Sequence, residues 1–325
     1  MAPSLAMGDG EVNLYSARKE KLIKPLLDRF TQKTGITVNL VTGKADALLQ
    51  RLQSEGRNSP ADLLITTDAG RLHRAKLAGV TQAVDSSVMN DAVPASFRDP
   101  QGHWYGLSLR ARPILYVKDK VDPSRLSSYE ALADPAWKGN ICIRSSNNIY
   151  NQSLVASMIA ANGVDATQKW AEGLVKNFAR PPKGGDRDQI KAAAAGLCDV
   201  AIANTYYLAG MLTSKDAAQR QAAEKMVVFW PNQAGRGAHF NISGAAVTVA
   251  AKNRENAIQL LEFLVSESSQ AWYAEANGEY PVRQDVAPGA LLRSWGEFKM
   301  DTLNLGQLGE LNPEAVRLMD RAGWK

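Results

Sequence analysis

A chain of 325 residues is long enough for two domains of ordinary size, each with its own core. Its 45% hydrophobic and 22% charged residues exclude the disordered and fibrous classes, and no apolar run approaches the length needed to cross a bilayer. The net charge of +5 and pI near 9.1 invite a nucleic-acid partner. Lys and Arg are nevertheless scattered among Asp and Glu, with no basic tract carrying interleaved aromatics, and read as solvated faces.

The opening "MAPSLAMGDG" has no basic region followed by an apolar stretch. Residues 1–10 therefore read as a trimmed or re-engineered leader. From Glu11 the chain alternates. Glu11–Tyr15 is a short apolar strand; Leu22, Ile23, Leu26, Leu27 and Phe30 then recur at helical spacing, with Gly35 as the stop. "ITVNLV" is a β-branched strand, 45–55 a helix and "ADLLITT" a strand, the order of a parallel α/β layer. A second series follows "GHWYGLSLRARPILYVKD": strand "GNICIRS", helix "SLVASMIAANG", helix "DQIKAAAAG" and strand "LCDVAIANT". Near Gly235 the composition turns loop-like, "PNQAGRGAHFNISGAAVTVA", before a strand, the helix "ENAIQLLEFLV" and a polar helical C-terminal part.

The glycine-rich phosphate loops, the nucleophile-elbow motif and the His-Glu-x-x-His motif are all absent. His73, His103 and His239 stand far apart, which disfavours a histidine-based hydrolase or zinc site. Cys142 and Cys198 make neither a Cys-x-x-Cys nor a zinc pattern, and composition alone leaves two free thiols or one disulfide. "VAIANTYYLAG" places Tyr206 and Tyr207 side by side at the end of an expected strand, with Asn204 and Thr205 as the turn signal. Neighbouring side chains on an extended chain point to opposite faces. By itself the dipeptide reads as one phenol packed inward and one reaching solvent.

Taken together, "VNLYSARKEKLIKPLL", "SPADLLITTDAGRL", "WYGLSLRARPILY", "IRSSNNIYNQSLVASMI", "NFARPPKGGDRDQIKA", "NTYYLAG", "HFNISGAAV", "EYPVR" and "LMDRAGWK" resemble, in collinear order, the bacterial periplasmic ferric-ion-binding proteins. These are the receptor subunits of ABC iron importers. The resemblance implies an α/β fold of the two-lobe, class II periplasmic binding type, each lobe a mixed sheet flanked by helices, with a ligand cleft between them. It assigns 11–109 with 236–282 to the N-terminal lobe and 110–235 with 283–325 to the C-terminal lobe, closing by a hinge motion. It also implies a periplasmic monomer that catalyses nothing, has no nucleic-acid partner and delivers iron to an inner-membrane ABC permease.

The same resemblance gives Tyr150, Tyr206 and Tyr207 as the metal ligands. Ferric ion is small, hard and highly charged, and favours anionic oxygen. A free phenol titrates near pH ~10, but a trivalent charge at bonding distance stabilises the phenolate at neutral pH. Both adjacent tyrosines reach one ion only if the backbone leaves strand geometry at Asn204 and Thr205.

Three phenolates leave an octahedral shell short. Where some relatives carry a ligating His-Tyr pair, this chain has Lys19 and Glu20, and a charged lysine does not ligate. Glu20 starts a helix, where a carboxylate is favoured in any case, and Asp68 reads as a helix cap. The expected completion is therefore a synergistic anion, carbonate or bicarbonate, held by Arg18 and Arg110 through paired guanidinium hydrogen bonds. Arg112 would point to the other side of an extended segment and is the weaker choice. Cys142 and Cys198 lie in strands expected in one layer, and the implied oxidising compartment lets a bond persist, so a disulfide inside the second lobe is expected. Two rival readings are a receptor for an oxyanion or small organic anion without metal, and an enzyme on the same fold. For the enzyme no acid–base or nucleophile–base spacing stands out.

Overall fold

The computed structural model describes residues 10–325, so the expected leader lies outside the described residues except for Gly10. The strands are β1 (Glu11–Ser16), β2 (Thr37–Thr42), β3 (Leu63–Thr67), β4 (Tyr105–Ala111), β5 (Ile114–Val117), β6 (Ile141–Cys142), β7 (Val200–Ile202), β8 (Met226–Phe229), β9 (Phe240–Val247) and β10 (Tyr280–Pro281). Two compact units result. The first comprises, of the described residues, 10–109 with Ile242–Ala276 and Pro281–Ala287; the second comprises Arg110–Asn241, Asn277–Tyr280 and Pro288–Lys325.

A six-stranded sheet in the order β10-β4-β9-β3-β1-β2 underlies the first unit. β1 pairs in parallel with β2 and β3, while β3 pairs antiparallel with β9. The helix Glu20–Thr34 buries Ile23, Leu26, Leu27 and Phe30, the positions that helical spacing selects, and ends where Gly35 turns left-handed at φ 78°. "FNISGAAV", expected within a loop, is instead the fully buried strand β9. Its Gly244 serves close packing, since a Cβ there would meet the Tyr105 carbonyl oxygen at 2.6 Å.

The second unit holds a four-stranded sheet in the order β6-β7-β5-β8, with β6 and β7 parallel and β5 antiparallel to both of its neighbours. Leu115, Ile190, Ala201, Leu208 and Met211 belong to its core. Cys142 and Cys198, both buried, form a disulfide there with 5.9 Å between their Cα atoms. The strand expected at "GNICIRS" is only two residues long. The chain leaves it to reach the helix Ile149–Asn162, which starts before the expected "SLVASM" because Asn148 accepts a hydrogen bond from the Tyr150 N–H and caps it.

The division also differs in detail from the expected limits. Residues 236–241 join the second unit, where the Tyr129 hydroxyl accepts from the His239 N–H and Ala238 bridges Met300. Residues 277–280 join it as well, Tyr280 packing its ring 5.7 Å from that of Phe240, whereas 283–287 belong to the first unit.

His239 lies inside the second unit, only 4% exposed. Burial, followed by the positive charges of Arg112, Arg236 and Arg110, lowers its pKa from 6.5 to about 3. The folded state thus holds it neutral, and its contribution to stability is complete above pH 6.5 and lost as pH falls toward about 3. Each unit of that fall costs up to ~1.4 kcal/mol. Urea unfolding of the metal-free protein at pH 7 and at pH 4.5 is expected to show this loss, and His239→Gln is expected to flatten it. An equally steep acid limb in the variant would remove His239 as the cause.

A tyrosine and arginine cluster as a candidate metal centre

Among the described residues no group of three or more His, Cys, Asp or Glu is placed to hold a metal ion. The convergent oxygen donors are phenols, and all belong to the second unit. Tyr150 is the second residue of the helix Ile149–Asn162. Tyr206 and Tyr207 are the second and third residues of the helix Thr205–Leu212, which follows Asn204 directly. The expected turn after β7 is therefore a helix start, and this is how two adjacent tyrosines come to lie together. Their ring centroids are 4.3 Å apart with the planes 34° from parallel. The Tyr206 hydroxyl donates to the Tyr150 hydroxyl at 3.2 Å.

That separation is informative. Two neighbouring oxygens on an octahedral ion with bonds of about 2.0–2.1 Å stand about 2.9 Å apart. All three tyrosines keep part of their surface exposed.

Three guanidinium groups surround the phenols. Arg110 lies 5.5 Å from the Tyr150 ring centroid and 5.9 Å from that of Tyr206; Arg144 lies 5.6 Å from Tyr150 and Arg187 5.4 Å from Tyr207. Distances of this size place the cations over the negative ring faces. Burial, then the neighbouring Tyr150 and Tyr207, pushes Tyr206 well above the usual phenol value of 10, while Arg110 pulls it back. Burial likewise raises Tyr207, with Tyr150 and Asp186 adding to it and Arg144 opposing. Without a cation these two phenols keep their protons at neutral pH.

Arg18, the other expected anion-binding residue, belongs to the first unit. It is buried, donates to the Ser108 hydroxyl at 2.8 Å and stacks 5.0 Å from the Tyr273 ring centroid. Asp68 caps the helix Ala69–Leu77 by accepting from the Gly70 N–H at 2.9 Å. Glu20 is exposed at the first position of its helix, beside an exposed Lys19. Sequence reasoning passed over Arg144, Arg187 and Asp186. The available signals were "CIRSSNNIY", which sets Arg144 six residues before Tyr150, and the acidic helix start in "GGDRDQI".

This fold and this donor cluster define a solute-binding protein, and comparison with known families agrees. The model for bacterial extracellular solute-binding proteins matches residues 26–300. The chain belongs to that family, and its fold is that of the class II periplasmic binding proteins. It is 51% identical to iron uptake protein A1 of Synechocystis over 97% of this chain and 88% of that one. A Trichodesmium protein solved in complex with iron and citrate is 51% identical, with a TM-score of 0.95, covering 97% of this chain and 100% of the other. The ferric-binding protein of Campylobacter jejuni is 38% identical with a TM-score of 0.91, covering 97% and 100%.

An ultraviolet difference titration of the metal-free protein is expected to contain tyrosine components that ionise only above pH 10. Arg110→Met should move one of them higher still, because it removes the cation that favours the Tyr206 phenolate. A titration in which all tyrosines ionise together at the ordinary value, unchanged in the variant, would contradict this electrostatic description.

Proposed function

We propose that this protein is a periplasmic receptor that binds ferric iron through the phenolates of Tyr150, Tyr206 and Tyr207 and delivers it to an ABC permease. The 3.2 Å contact between the Tyr150 and Tyr206 hydroxyls, with Tyr207 stacked alongside, is the observation that carries the reading. Two phenols gain little from facing each other in a protein core, whereas a trivalent ion needs several oxygens at this spacing. Relatives named for iron uptake and ferric binding support it, and the protein is read as a binding protein, not an enzyme.

Three phenolates cancel the three charges of the ion and leave coordination positions open. Lys19 and Glu20 supply no evident replacement. An exogenous anion fills the shell: carbonate or bicarbonate, or a carboxylate of the citrate kind seen with iron in the Trichodesmium protein. Arg110, beside two of the phenols, holds that anion by charge-assisted hydrogen bonds, and Arg18 is the second anion-binding residue of this reading. The two compact units are the lobes of the receptor, which acts as a monomer.

Iron displaces protons from phenols that otherwise keep them, so retention weakens as pH falls. Fe(III) added with bicarbonate is expected to give a visible phenolate-to-iron charge-transfer band that fades on acidification. Tyr206→Phe or Tyr207→Phe should shift or abolish the band and lower ferric affinity by more than the 10–100-fold typical of losing a supporting residue. Arg110→Ala and Arg18→Ala should blunt the response to bicarbonate or citrate. A colourless wild-type protein would refute the ferric site, and equal affinity in anion-free and anion-containing buffer would refute the anion.

A further inference from the structure

Beneath the tyrosines lies a second constellation that supplies no metal donor. Arg112, 1% exposed, follows β4. Its backbone is held on both sides: its N–H donates to the His239 carbonyl at 3.1 Å, and its carbonyl accepts from the Tyr129 hydroxyl at 2.7 Å. The guanidinium then divides. Nη1 donates to Asp186 at 2.9 Å and to Asn204 Oδ1 at 2.8 Å, and Nη2 donates to Asn151 Oδ1 at 2.7 Å.

Each acceptor stands at the start of a helix. Asn151 follows Tyr150 in the first turn of Ile149–Asn162, Asn204 precedes the helix carrying Tyr206 and Tyr207, and Asp186 is the first residue of the helix Asp186–Ala194. Asp186, fully buried, also accepts from the Asn204 N–H at 2.8 Å and from Arg144 at 3.3 Å. Asn151 Nδ2 in turn donates to the Arg144 carbonyl at 2.7 Å.

Resting on the ferric reading above, we propose that the buried Arg112–Asp186 pair is the positioning element that sets the spacing of the three phenols and thereby the ferric affinity of the protein. One planar fork reaches both tyrosine-bearing helices at their first turns, so the distance between the helix starts is fixed by the guanidinium itself. A buried ion pair is weak evidence for stability, because apolar replacements often do as well. What such a pair supplies here is direction. A binding site needs its donors held to within about 0.5 Å by a supporting shell. Arg112 and Asp186 touch none of the ligand atoms and act through Asn151 and Asn204.

The test uses Asp186→Asn, which keeps shape and removes the charge, and Asn151→Ser, a neutral change that removes one arm of the fork. Glu130→Gln is the control, loosening the Arg236–Glu130 pair elsewhere in the same unit, 3.3 Å apart. Ferric affinity is measured with ferric citrate against excess citrate, together with the visible band and the melting temperature of the metal-free protein. Asp186→Asn and Asn151→Ser are expected to shift the band and weaken ferric binding by about 10–100-fold, while Glu130→Gln lowers the melting temperature without changing either. Folded Asp186→Asn and Asn151→Ser proteins with the wild-type band and affinity within twofold would overturn the proposal. So would a loss of affinity in Glu130→Gln that matches theirs for the same loss of melting temperature. A crystal structure of metal-free Asp186→Asn reads the spacing directly. Widening of the 3.2 Å Tyr206–Tyr150 contact is expected, and its retention overturns the positioning role whether or not iron binds. A wild-type protein that stays colourless with ferric citrate overturns the ferric reading alone.

Discussion

The second unit is organised around one buried cation. Removing Arg112 from water carries a large desolvation cost, and only a nearly complete set of acceptors offsets it. That requirement fixes much of what surrounds it. A carboxylate has to begin the helix Asp186–Ala194, an asparagine has to precede the helix Thr205–Leu212, and a second has to follow Tyr150. A carboxylate is also what the N-terminus of a helix dipole favours, so at Asp186 the demands of the guanidinium and of the helix start coincide. The phenols ride on the same first turns and inherit their placement.

On the proposed reading, the charges around the tyrosines suit a bound cation better than the empty protein. Burial and mutual repulsion keep Tyr206 and Tyr207 protonated, while Arg110 and Arg144 oppose that tendency without prevailing. Arginines stacked on neutral phenols gain from the ring quadrupole and gain more once the phenols ionise. Tyr206 and Tyr207 are thus neutral at rest and able to become anionic. A preformed ring of carboxylates would instead repel itself when empty.

Much of the first unit was legible in the sequence because its signals are local. Helical spacing from Leu22 to Phe30, the stop at Gly35 and the β-branched run after it each depend on near neighbours. The misreadings have particular causes. Gly244 and its surroundings look like a loop, but the glycine is there to let strands and Leu72 approach closely. Tyr206 and Tyr207 look like a strand end because the helix that carries them is only eight residues long, with no side-chain cap bond from Asn204 to announce it; that side chain is occupied by Arg112. Alternation along an extended segment set Arg112 apart from Arg110. Alternation says which way a side chain leaves the strand, not that three acceptors at the starts of three helices wait there. Asp186 was hard to read for the same reason: Arg112 and Arg144, the guanidinium groups it accepts from, lie far from it in the chain.

Trp324 adds a temporal side to this architecture. Its indole N–H donates to the Arg144 carbonyl, 180 residues earlier in the chain, and its ring packs against Trp170 and Phe178. A chain made N-terminus first therefore displays its three tyrosines well before the segment that braces Arg144 exists. The Arg144 carbonyl gains its indole donor only after a further 180 residues have been added.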